Sequence, residues 1–165
     1  MRPATPRDIP ELVALINQAY RVEDPLIIGD RTDAADLANL MGQGVFLVDS
    51  AGGHLEFGWL RASVFVRISG ERGYFGMLAV DPTVQGNGVG ASMIRAAEEY
   101  CRRAGCRLME LTIIETRTEL LGFYGRFGYA PTTKIPFPVP RKMRAHFELQ
   151  KMEKVLKDSD DSTSR

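Results

Sequence analysis

Residues 76–90, GMLAVDPTVQGNGVG, leave this chain few ways to fold. The apolar run Met77-Leu78-Ala79-Val80 reads as a strand that stops at Asp81-Pro82, and three glycines, Gly86, Gly88 and Gly90, then lead into an amphipathic segment. Glycine lets the backbone turn tightly with no side chain above it, so successive N–H groups can face an anion. The first turn of the next helix adds unpaired N–H groups and a positive dipole end. A phosphate or diphosphate fits this geometry, although glycine turns between strand and helix also arise for packing alone. No Gly-Lys-Ser/Thr follows, so the nucleotide-hydrolase loop is absent, and the spacing does not give the full dinucleotide fingerprint.

The rest of the chain reads as α/β. Asp8 and Glu11 are placed as a capping box around Pro10, ahead of a helix with Leu12, Leu15, Ile16 and Ala19 on one face. Residues 21–30 have no clean periodicity; Thr32 and Asp33 open a second short helix that stops at Gly42. Residues 45–48, a turn at 50–53 and residues 55–66, with Gly58 marking a bulge or close approach, predict a hairpin. A turn at 69–71 leads into the strand 73–80, so antiparallel strands precede the glycine turn. This order, with no long βαβ pattern, argues against a Rossmann-like nucleotide binder.

After Gly90, Met93, Ile94, Ala97, Tyr100, Cys101 and Ala104 form the expected buried helix face. Arg95, Glu98, Glu99, Arg102 and Arg103 form the polar one, and Gly105 the stop. Strands are predicted over 107–114, 129–133 and 147–152. A short helix capped by Thr118 and ended by Gly128 lies among them, and the proline-rich stretch 136–140 is an ordered loop. Residues 1–154 read as one domain and 155–165 as a disordered polar tail.

Gln85-Gly86-Asn87-Gly88-Val89-Gly90 resembles the diphosphate loop of the GNAT-type, acetyl-CoA-dependent N-acetyltransferases. Leu78-Ala79-Val80-Asp81-Pro82 and Phe123-Tyr124-Gly125-Arg126-Phe127-Gly128-Tyr129 resemble the same superfamily, in the same order. The similarity is strongest over about residues 73–131. It implies a mixed, mostly antiparallel central sheet flanked by helices, with a splayed central strand pair forming the acyl-CoA groove. It also implies acetyl-CoA as acyl donor, held through Gln85, Gly86, Asn87, Gly88, Val89 and Gly90, with the strand Leu78, Ala79, Val80 bonding the pantetheine arm.

By the same resemblance Tyr124 is the acid that protonates the departing thiolate, a role open to a phenol placed on the sulfur; a packed helix tyrosine is the alternative. Where the family often carries an asparagine that reaches the donor's arm, this chain has Arg117. The central strand lacks the family's glutamate, so the general base is open among Glu71, Glu56, Glu115, a water relay, or an amine that arrives neutral. The first two helices and their connection resemble one wall of the acceptor cleft, making Tyr20, Glu23, Asp24 and Arg31 candidate substrate contacts or ordinary surface residues.

The implied reaction is direct acetyl transfer to a primary amine, on a small molecule or a peptide. The alternatives are transfer of a longer acyl group and a non-catalytic acyl-CoA-binding regulatory module. Lys plus Arg (21) equals Asp plus Glu (21), which argues against a strongly basic nucleic-acid binder. His54 and His146 have no neighbours at metal-ligand spacing, and Cys101 and Cys106 read as buried thiols. The sequence shows no run long and apolar enough for a bilayer and no signal-like start, so a cytoplasmic protein with no membrane contact is expected. An edge strand near 147–152 would serve a homodimer.

Overall fold

A computed structural model describes residues 1–51 and 59–156. Its seven strands are β1 Arg2–Pro3, β2 Val45–Ala51, β3 Trp59–Ser69, β4 Arg72–Val80, β5 Leu108–Ile114, β6 Ala130–Pro136 and β7 Glu148–Val155. They form one sheet in the order β1-β2-β3-β4-β5-β7-β6. Only the β4–β5 pairing is parallel. Helices α1 (Ile9–Ala19), α2 (Ala34–Met41), α3 (Val89–Arg103) and α4 (Thr118–Gly125) cover its two faces.

The period-2 alternation of β3 decides which helix goes where. Ala62, Val64 and Val66 point to one face, where Met93, Ile94, Ala97 and Cys101 of α3 meet them. Phe65 points to the other, against Leu12, Leu15 and Ile16 of α1 and Leu37 of α2, and Leu60 joins it because a β-bulge between Leu60 and Ala62 shifts the alternation by one residue. A strand apolar on both faces, between two amphipathic helices, has only an interior position in such a sheet.

Several local expectations shift. Asp8 does not cap α1 with its side chain; its carboxylate instead accepts from Thr5 N–H (2.7 Å) and from Arg2 Nη2 (2.7 Å), closing a 3-10 turn over Pro6–Asp8. The N-cap of α2 is Asp33, which accepts from Asp36 N–H at 2.8 Å, while Thr32 is buried with its own N–H bonded to Asn17. Thr118 is the first residue of α4 and makes no cap; α4 ends at Gly125, and Gly128 takes the left-handed turn after it.

On α3, Tyr100 is exposed and Glu98 is buried, the reverse of expectation. The Tyr129 hydroxyl (2.9 Å) and Lys154 Nζ (2.8 Å) both donate to the Glu98 carboxylate, so its charge enters the core with partners. Cys101 and Cys106 are buried free thiols, and burial pushes the Cys101 thiol up to about 12.

The edge expected near 147–152 is not an edge. β7 lies between β5 and β6, with both sides bonded, and β6 is the outer strand. The surface offered for a homodimer there is therefore taken. β7 also continues to Val155 and Leu156 is buried, two residues into the span read as a tail; residues 157–165, like the turn residues 52–53, Glu56, His54 and Gly58, lie outside those described. Among the described residues no helix is long and apolar enough to cross a membrane.

The Arg2–Asp8 pair carries a pH prediction. The Arg2 guanidinium, with Thr5, holds the Asp8 carboxyl at about 2, below the usual carboxylate range. A depressed folded value means that the contribution is present above about pH 4 and disappears as pH falls through about 2. With Arg2 half exposed, it is on the order of 1 kcal/mol. Urea unfolding of Asp8→Asn across pH 2–7 should show that difference at neutrality and convergence with the parent at the acid end.

Candidate functional site

The site begins where the parallel pair comes apart. β4 and β5 are in register only at Arg72↔Leu108, Gly73↔Met109 and Tyr74↔Glu110, yet β4 runs on to Val80 and β5 to Ile114. Beyond Tyr74 the edge of β4 that faces β5 has no ladder partner there. On its other edge the register passes from Phe65↔Gly76 to Ser63↔Ala79, so Met77 and Leu78 stand where β3 has the single Val64. This is a β-bulge, with Met77 at φ +49°, and it bends β4 away from β5. A cavity of about 710 Å³ fills the wedge.

One end of the cavity is closed by the glycine turn. Asp81, buried at the end of β4, accepts from the Thr83 N–H (2.8 Å) and hydroxyl (2.7 Å), and these bonds hold its carboxyl below the usual range. The Gln85 side-chain amide donates to Val80 O at 3.2 Å and that of Asn87 to Val84 O at 3.4 Å. Side chains thus brace the turn from within, leaving its backbone to face the cavity. Gly88, at φ +75°, is the N-cap of α3, and Gly86 lies at φ +82°. An added Cβ at either would meet nothing within 4 Å: the space above the turn is open.

Of the residues expected to hold the donor, Leu78, Val80, Gln85, Gly86, Gly88, Val89, Gly90 and Arg117 line this cavity together with Tyr124. Ala79 and Asn87 do not. Ala79 points to the opposite face of β4, into the core beside α1, and the Asn87 amide is spent on the turn. α4 buries Tyr124 against Phe75 (5.9 Å between ring centroids), Phe123 (5.0 Å) and Tyr129 (6.3 Å). Burial raises its phenol above the ordinary tyrosine value, Tyr20 adds to the rise, and Arg117 opposes it. At neutral pH it is a proton donor and not a phenolate.

The other end is roofed by the segment between α1 and α2. Ile27 forms a β-bridge with Met143, flanked by Ile28 N–H to Lys142 O (2.8 Å) and Arg144 N–H to Leu26 O (2.9 Å). Phe137, from the proline-rich stretch, packs on Phe147 at 5.0 Å beside Ile27 and Ile114. Neither Ile27, in the short apolar run Leu26-Ile27-Ile28, nor Phe137, between two prolines, is singled out by periodicity, yet the two segments cover one another.

Tyr20, Glu23 and Arg31 line the cavity, and Asp24 does not. Glu23 is buried and accepts from Arg117 Nη1 at 3.1 Å, tying the roof to the loop after β5; Arg117 also bonds Glu119 at 3.0 Å. The Arg31 guanidinium stacks over the Tyr20 ring, 5.1 Å from its centroid, and burial pushes the Tyr20 phenol up to about 12. Neither Glu71 nor Glu115 lines the cavity. Glu71 is exposed beside Arg107 at the far end of β4, and Glu115 is occupied by the Glu148 N–H (3.0 Å) and Lys134 (2.6 Å). Glu23 is the one carboxylate among the described lining residues.

Solved structures share this architecture. Ard1 from Thermoplasma volcanium superposes with a TM-score of 0.75 at 17% identity, covering 95% of this chain and 97% of its own. The ribosomal-protein-S18-alanine N-acetyltransferase from Escherichia coli gives 0.71 at 12% identity, over 99% and 97%. The NatC complex bound to Gag peptide and CoA contains a chain that gives 0.70 at 17% identity, over 94% and 97%. No curated sequence matches at a significant level. At these identities the likeness carries the fold alone. The sequence pattern of the acetyltransferase (GNAT) family matches residues 12–129, well over half of the chain, and with it this protein belongs to the GNAT acetyltransferase family.

Proposed function

We propose that the protein moves an acetyl group from acetyl-CoA to a primary amine by direct attack in a ternary complex. The observation that carries this is the wedge: a glycine turn and helix N-terminus at one end, an unpaired strand edge along one side, and a buried neutral phenol within it.

The donor's diphosphate lies against the N–H groups of residues 85–90 and the positive end of α3. The extended pantetheine arm bonds the free edge of β4 as a strand would, and the bulge at Met77 and Leu78 turns backbone N–H groups toward the acyl carbonyl. The amine enters under the 20–31 roof. A C–N bond forms as the C–S bond breaks, and Tyr124 gives its proton to the departing sulfur. The proton lost by nitrogen leaves to solvent and Tyr124 is refilled from solvent. Among the described residues no carboxylate outside the Glu23–Arg117 pair lines the cavity, which favours an amine that reacts in its neutral form.

Incubation with acetyl-CoA and panels of small amines and peptide amines, following free thiol and acetylated product together, tests the reading. One thiol per acetylated amine is expected. Thiol without acylated amine, or faster turnover with longer acyl donors, overturns it.

A further inference from the structure

The charges on the cavity wall do not match a plain amine. Among the described lining residues there are one carboxylate, Glu23, and two guanidinium groups, Arg31 and Arg117. Glu23 is occupied by Arg117, which also holds Glu119. Arg31 has no carboxylate partner among the described residues; it rests on the face of Tyr20, whose phenol burial keeps uncharged. A guanidinium held on an aromatic ring, with its N–H edge unspent and a cavity beside it, is an anion receptor.

The donor's own anions do not answer this charge. They belong at the glycine turn and the start of α3, whereas Arg31 and Tyr20 are on the segment between α1 and α2, on the sheet face opposite α3. A polycation would find no free carboxylate among the described lining residues. Arg31 is exposed and therefore hydrated when the cavity is empty, and a carboxylate on the acceptor is the group that exchanges for that water with a charge-assisted contact.

Resting on the transferase reading above, we propose that the acceptor is an amine that also carries a carboxylate, a free amino acid or a relative of one, with the carboxylate on Arg31. The Tyr20 ring fixes the plane of the guanidinium, and Arg117, already answered by Glu23 and Glu119, is not the seat. The size agrees: about 710 Å³ must hold the donor's arm and the acceptor together, which leaves room for a small molecule.

The test uses matched acceptors with saturating acetyl-CoA: free amino acids against their carboxamides, and ω-amino acids of graded length against plain alkylamines. Carboxylated members should be preferred by about tenfold or more in kcat/KM, mostly through KM, because a charge-assisted contact to the resting acceptor is lost. Arg31→Gln should erase the ratio and Arg31→Lys keep part of it, with acetyl-CoA affinity by calorimetry checking the donor end. Equal use of both members, a preference that survives Arg31→Gln, or turnover of neither set with acetyl-CoA bound overturns the inference and leaves the donor site standing. Failure of acetyl-CoA to bind at all instead removes the transferase reading on which it rests.

Discussion

Gly88→Glu should abolish acetyl-CoA binding, lowering affinity by at least about a hundredfold in calorimetry while the protein stays folded. Two effects add. Gly88 sits at φ +75°, where an L side chain costs about 1–2 kcal/mol. The new carboxylate would also stand at the mouth of the turn, in space that is now open. At ~5 Å and an effective dielectric near ~20, each like-charge pair with a diphosphate costs about 3 kcal/mol. Gly88→Ala separates the two, since it keeps the strain and omits the charge; it should weaken binding about tenfold and lower the unfolding temperature. Gly90→Ala, whose added Cβ would sit 3.7 Å from Val80 Cγ2 at ordinary contact and without a positive φ, should have the smallest effect of the three. Full affinity in Gly88→Glu would mean that the glycine turn is a packing device and that the donor binds elsewhere.

The glycine-turn half of this cavity was legible in the sequence because it is built locally. A strand, a turn and a helix within fifteen consecutive residues bring Leu78, Val80, Gly86, Gly88 and Gly90 onto one cavity, and each is there for backbone reasons that residue type reveals. The exceptions are instructive: Ala79 alternates to the other face of β4 and the Asn87 side chain braces the turn, distinctions that depend on register and not on motif. The roofed half was not legible. Its roof depends on Ile27 meeting Met143 and Glu23 meeting Arg117, contacts between segments about a hundred residues apart with no periodicity of their own. The burial of Glu98 escaped for the same reason. A glutamate on a helix reads as solvent-facing until Tyr129 and Lys154 arrive from the far end of the chain.

Tyr124→Phe should lower kcat by about a hundredfold or more, the range expected when a positioned acid is removed, with little change in the affinity for acetyl-CoA. The substitution suits this question because the ring stays. Its contacts with Phe75, Phe123 and Tyr129 involve the aromatic faces and edges, so fold and cavity shape should persist. The pH profile gives an independent reading. Burial raises the phenol above its ordinary value, which extends its protonated, donor-competent range upward. The parent enzyme's kcat should therefore climb as the amine loses its proton and hold through about pH 10, where an unperturbed tyrosine would be half ionised. If Tyr124 were instead a packed residue with no part in the chemistry, Tyr124→Phe would keep kcat within about threefold of the parent at every pH. Thiolate departure would then need another proton source, and Tyr20, which faces the same cavity and is held protonated by burial, is the side chain whose replacement by phenylalanine would have to show the loss.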